Sequence, residues 1–178
     1  ITTISAGTLQ ISQDRNLGAA PGTVTANEIT FNGGTLQITA SFTLDPNRGI
    51  TLSSGGGTIS VDSGQTLTYA GIITSTGNLT KSGTGNLALS ATNTYTGLTT
   101  VSNGAISVRS AAALGNASAA TTVNSNAAVN IVGAGFNVAE PFILNSLGIT
   151  GNVKGAIWIP STSGATTLSG VITTTAAS

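Results

Sequence analysis

The pentapeptide Gly7-Thr8-Leu9-Gln10-Ile11 returns almost unchanged as Gly34-Thr35-Leu36-Gln37-Ile38. Looser copies follow at Gly57–Val61, Gly85–Leu89, Gly104–Val108, Ala127–Ile131 and Gly155–Ile159, with steps of 27, 23, 28, 19, 23 and 28 residues. The third and fifth residues are aliphatic in every copy: Leu9 and Ile11, Leu36 and Ile38, Ile59 and Val61, Leu87 and Leu89, Ile106 and Val108, Val129 and Ile131, Ile157 and Ile159. Apolar residues at every second position describe a strand with one buried face. Such a strand returning at a near-constant period describes a stack of coils. The reading is therefore an all-β chain, a parallel β-helix (β-solenoid) of about seven coils of 19–28 residues. The fourteen aliphatic side chains should fill two interior columns. With rungs about 4.8 Å apart, seven coils make a rod on the order of 34 Å long.

The steps leave room for further short strands, and Thr23–Ala26, Glu28–Phe31, Phe42–Leu44 and Ile50–Leu52 fit. A longer period overlies the short one. Thr2-Thr3-Ile4-Ser5-Ala6-Gly7 matches Thr99-Thr100-Val101-Ser102-Asn103-Gly104 at an offset of 97, and Phe42-Thr43-Leu44 matches Phe142-Ile143-Leu144 at 100. Gly71-Ile72-Ile73-Thr74 matches Gly170-Val171-Ile172-Thr173 at 99. These offsets suggest four-coil units of about 97–100 residues, with residues 1–178 one β-helical segment cut from a longer array.

Composition narrows the function. The chain has 31 Thr and 24 Gly, 5 basic and 5 acidic residues, and no His, Cys or Met. Imidazole and thiol chemistry are absent, with the metal sites that depend on them. Five scattered cations at zero net charge give no footprint for nucleic acid. No apolar run is long enough for a membrane-spanning helix, and the first residues carry no signal-peptide pattern. Asp14, Glu28, Asp45, Asp62 and Glu140 lie in different coils with no alignment that pairs two as a glycosidase requires. Gly55-Gly56-Gly57 with Asp62 has the wrong spacing for a calcium-binding nonapeptide. No catalytic residue, cofactor or metal site is expected. Asp14 with Arg15, and Asp45 with Arg48, read as weak corner ion pairs.

Residues 77–108 carry a denser pattern. Gly77-Asn78-Leu79-Thr80-Lys81-Ser82-Gly83-Thr84-Gly85-Asn86-Leu87-Ala88-Leu89 is followed by Asn93-Thr94-Tyr95-Thr96-Gly97, Thr99-Thr100-Val101 and Gly104-Ala105-Ile106-Ser107-Val108. This resembles the autotransporter-associated β-strand repeat, or passenger-associated transport repeat, and Thr2–Ile11 resembles its second half. The resemblance implies a right-handed β-helix in the exported passenger of a type V secreted bacterial surface protein, crossing the outer membrane only through a translocator. It implies no catalytic residues. Within the motif, Tyr95 reads as a corner packing residue and Lys81 as a solvated charge on a strand face.

The leading expectation is a non-enzymatic stalk or adhesin-like segment at the bacterial cell surface, contacting surface glycans or proteins of a host or a neighbouring cell. A second is an extracellular fibre subunit that stacks end to end through its open coil edges. A third is a carbohydrate-binding β-helix. The residue singled out for ligand or partner contact is Trp158, which alternation points outward, with a covering loop as the alternative. Outward Thr8, Thr35 and Thr58 should also align, in a column that gives way to Asn86, Ala105, Ala128 and Ala156 and is too short to template ice.

Overall fold

The computed structural model describes residues 1–145, 147–149, 155–160 and 165–175. Among them every paired strand is parallel. The only helix among the described residues is one 3-10 turn at Asp14–Leu17. Parallel strands joined by short corners must belong to successive coils, because a chain needs a long return before it can lie beside itself in the same direction. The result is a β-solenoid of about six full turns, with incomplete ones at either end.

Each coil runs over three faces. The first face holds Thr2–Ile4, Thr25–Phe31, Arg48–Leu52 and Ile73–Ser75. The second is an eight-stranded sheet of Thr8–Ile11, Thr35–Ile38, Gly57–Val61, Leu79–Ser82, Thr99–Val101, Thr121–Val123, Phe142–Leu144 and Ile172–Thr174. The third stacks Phe42–Leu44, Thr66–Tyr69, Asn86–Leu89, Gly104–Val108, Ala127–Ile131 and Ile157–Trp158. Thr23–Ala26 and Glu28–Phe31 are thus one strand, Thr25–Phe31, with a register shift between Thr25 and Ile29.

Leu36 stacks between Leu9 and Ile59, as the repeat requires. The columns nevertheless divide. The first three pentapeptides lie on the second face and the last four on the third. Gly57–Val61 stacks under Leu79–Ser82, while Asn86–Leu89 stacks on Thr66–Tyr69. The step of 28 residues from Gly57 to Gly85 therefore joins one coil, 22 residues from Gly57 to its partner Leu79, to one corner. Two half-columns share one core. Eleven of the fourteen aliphatic residues are buried, Leu9 and Ile157 partly so, and Ile159 is 37% exposed. Pro160 follows Ile159 and has no N–H to continue the ladder, which accounts for the early end of that strand.

The longer offset also changes face. Thr2–Ile4 lies on the first face and its counterpart Thr99–Val101 on the second; Ile73–Ser75 and Ile172–Thr174 are related in the same way. What returns after 97–100 residues is a strand–corner–strand module rather than a position around the coil. Its corner depends on glycine. Gly104 has φ of +68°, where a Cβ is disfavoured. Gly57 has ordinary φ, but a Cβ there would overlap the Phe31 side chain of the coil below.

Two expected charges are corrected. Lys81 is fully buried, taking the column position between Ile59 and Val101. Its Nζ donates to the carbonyl oxygens of Ser82 at 2.7 Å, Gly83 at 2.8 Å and Asn103 at 3.2 Å. A four-carbon stem spans the apolar interior and delivers the ammonium to a corner whose carbonyls point inward. Arg48 is also fully buried and does not pair with Asp45, its expected partner. It binds Asp14 in bidentate fashion, at 2.9 and 3.1 Å, and lies 3.7 Å from Glu28. Two carboxylates are thereby brought to one cation, which the coil spacing did not suggest. Asp45 instead accepts from the Asn47 N–H at 2.8 Å.

Candidate functional site

The first face breaks after Ile73–Ser75, and an open cleft lies at the break. In the next coil Thr94 and Thr96 still donate to the carbonyls of Ile73 and Ser75, both at 2.9 Å. In the coil after that, Ala111–Gly115 turns instead of pairing, and sheet structure resumes only where Asn137–Val138 meets Thr167–Leu168. Small residues (Ala111, Ala112, Gly115, Ala117, Ala139) leave an open cleft of about 430 Å³ over this break. Its polar lining is Asn93, Thr94, Asn116, Asn137 and Glu140.

A seam of buried polar residues underlies it. Asn93, 3% exposed, accepts from the Ile73 N–H at 2.8 Å and donates to the Ala113 carbonyl at 2.6 Å. One amide thus clamps the coil below to the coil above, where strand pairing fails. Removing it leaves a buried N–H and a buried carbonyl without partners, each costing about 1–3 kcal/mol. Asn93→Ala should lower stability by about 2–3 kcal/mol in urea unfolding and speed hydrogen exchange at Ile73. Tyr95 is fully buried, its hydroxyl 2.7 Å from Thr99 Oγ1, and burial holds the phenol well above its usual pKa. It is a corner packing residue.

Thr121 is the register partner of Thr99 and donates to Glu140 Oε1 at 2.7 Å. Glu140 is 3% exposed, and burial pushes its carboxyl up to about 7 against the single hydrogen bond from Thr121. Among the described residues no cation pairs with it. Among the described residues no fully buried side-chain oxygen lacks a partner, so the second carboxylate oxygen keeps some exposed surface, and Glu140 lines the cleft.

Because the folded state holds this proton more tightly than the unfolded chain, it contributes stability below pH 4.5 that is lost as pH rises to about 7. The loss should be on the order of 3 kcal/mol. Glu140→Gln should abolish that slope and be the more stable protein at pH 8, measured by urea midpoints across the range.

Sequence reasoning passed over Glu140 as an isolated carboxylate. One signal marked it: it is the sole charge between Arg109 and Lys154. Trp158 sits opposite Asn130 on the third face and is half-buried, not fully exposed. The threonine column is longer than the spacing suggested, running Thr8, Thr35, Thr58, Thr80, Thr100 and Thr122 on the second face. Its companion column is mixed (Gln10, Gln37, Ser60, Ser82), so the face lacks the second uniform row that a match to ice requires. Among the described residues no three acidic side chains gather as a metal site, and no helix is long and apolar enough to cross a membrane.

Comparison with known proteins agrees with the motif reading. The family described as passenger-associated transport repeat matches residues 1–11 and 79–108, the two stretches that carry the resemblance. In the fold, residues 79–108 form two stacked rungs, Leu79–Ser82 under Thr99–Val101 and Asn86–Leu89 under Gly104–Val108. The chain is 39% identical over 82 residues to the Adhesin BmaC autotransporter of Brucella suis biovar 1 (strain 1330), a stretch that is 46% of this chain. The chain spans only 2% of that relative's length. No solved structure matches.

Proposed function

We propose that this chain is a non-catalytic segment of the exported passenger of a bacterial autotransporter, displayed at the cell surface as part of an adhesin-like stalk. The observation that carries the proposal is the 79–108 repeat, whose two halves stack in register as a pair of rungs. The similarity to an adhesin autotransporter supports the same reading. So does the physics of export. A chain that emerges unfolded can fold coil upon coil, because each rung needs only its predecessor. Scarce charge and abundant threonine suit outward strand faces.

The test uses antibodies raised against the folded segment on intact cells that make the parent chain. Labelling of unbroken cells, removed by external protease, is the expected result. Labelling only after lysis overturns the proposal.

A further inference from the structure

We propose that the cleft floored by Glu140 binds a small organic molecule through a primary ammonium group. The cleft, about 430 Å³, falls within the usual range for small-ligand sites and suits a monosaccharide or short amine rather than a polymer. Its one charged lining residue is a carboxylate that is almost wholly buried, with one oxygen anchored by Thr121 and the other not fully buried. A buried carboxylate without a cation is unfavourable unless something pairs with it. No described residue does so: Arg48 is committed to Asp14, and Lys81 to three carbonyls.

The floor favours an ammonium ion over a divalent metal. Calcium seeks six to eight oxygen ligands, whereas Glu140 is the one acidic residue lining the cleft and belongs to no group of three such side chains among the described residues. An ammonium brings its own N–H donors and needs one carboxylate with polar neighbours, which Thr94 and Asn116 supply at the rim. The other titratable group that faces Glu140 is the Tyr95 phenol, which stays protonated. For an alkylamine, which keeps its charge over this range, affinity should therefore follow the ionisation of Glu140 and tighten as pH rises from 5.5 to 8.

The experiment titrates the 178-residue chain at low salt with glucosamine and with cadaverine, two sources of the same group, and with glucose as the neutral control, followed by amide NMR shifts. The expected result is saturable shifts at residues 93–94, 111–117 and 137–140 with at least one amine. Binding should weaken at least tenfold in Glu140→Gln and, for cadaverine, several-fold in the wild type at pH 5.5. Saturation by one amine alone names the preferred source. The proposal is overturned if neither amine saturates, if glucose binds as well, if the amines bind Glu140→Gln unchanged, or if cadaverine binds the pH 5.5 protein unchanged. Glu140→Gln keeps an acceptor for Thr121, and its far-ultraviolet spectrum verifies the fold.

Discussion

Replacing Arg48 with alanine is expected to lower stability by about 4–5 kcal/mol, because breaking a buried ion pair from one side strands the other charge and empties a large volume. The guanidinium is fully buried and makes four hydrogen bonds to the first coil: two to Asp14, one to the Gly18 carbonyl at 2.6 Å and one to the Leu17 carbonyl at 3.4 Å. The Arg48 carbonyl accepts from the buried Tyr69 hydroxyl at 2.7 Å, so the residue ties the 3-10 turn to the third coil through backbone and side chain together. Burial disfavours the Asp14 anion, but hydrogen bonds from Arg48 and the Asp45 N–H, with the arginine's charge, leave its pKa below the usual value. Its stabilising contribution is present above pH 3.8 and lost as pH falls further.

The damage should stay local. In a stack held mainly by contacts between successive coils, loss of one staple unravels nearby rungs first. Hydrogen exchange should accelerate through residues 8–52 while residues 99–131 keep their protection, and urea unfolding should split into two transitions. Asp14→Asn, which keeps an acceptor for the guanidinium, should lose less. Uniform loss of protection along the whole chain would contradict this account.

Arg48 also shows where sequence reading stops. The stacking of Leu9, Leu36 and Ile59 was legible because alternation and period are local signals, and the sheet obeys them. The move of the repeat from the second face to the third was not, because Gly57–Val61 and Gly85–Leu89 carry the same local pattern wherever they sit around the coil. A pentapeptide specifies a strand and its buried side; the number of residues at each corner decides which face receives it. Charges are harder still. Asp14 and Arg48 are 34 residues apart and meet only because the chain completes a coil between them. Asp45 and Arg48, three apart, looked the better pair but do not form an ion pair. At the candidate site Asn93 and Tyr95 stood out through the motif. Glu140 depends on contacts with Thr121 from the preceding coil, which no spacing rule marks.

Lys81 carries the second large effect, and its sign needs argument, since removing a buried charge is sometimes stabilising. Burial draws its pKa from 10.5 down to about 8, so holding the ammonium inside has a real cost near neutrality. Against this stand three charge-assisted hydrogen bonds to carbonyls that have turned inward at the Ser82–Gly83 corner and at Asn103. Such bonds are each worth about 1.5–3 kcal/mol; they offset part of the desolvation, and without a donor the three carbonyls would be left unpaired. The corner has no simple alternative donor. Gly83 holds φ of +69°, and a Cβ there would collide with the Val61 carbonyl, so the backbone has little freedom to turn its oxygens outward.

Lys81→Met, which keeps the stem and removes the donors, should therefore lose about 2 kcal/mol, and Lys81→Ala, which also opens a cavity, about 4 kcal/mol. The pH dependence separates the charge from the stem. The unfolded lysine keeps its proton to higher pH than the folded one, so wild-type stability should rise between pH 8 and 10.5. Above pH 10 the buried phenols of Tyr69 and Tyr95, both raised, turn the curve down again. The rise between pH 8 and 10 should vanish in Lys81→Met. If the methionine protein is instead more stable than the wild type at pH 7, the three carbonyls do not need the ammonium, and the lysine is there for something other than the corner.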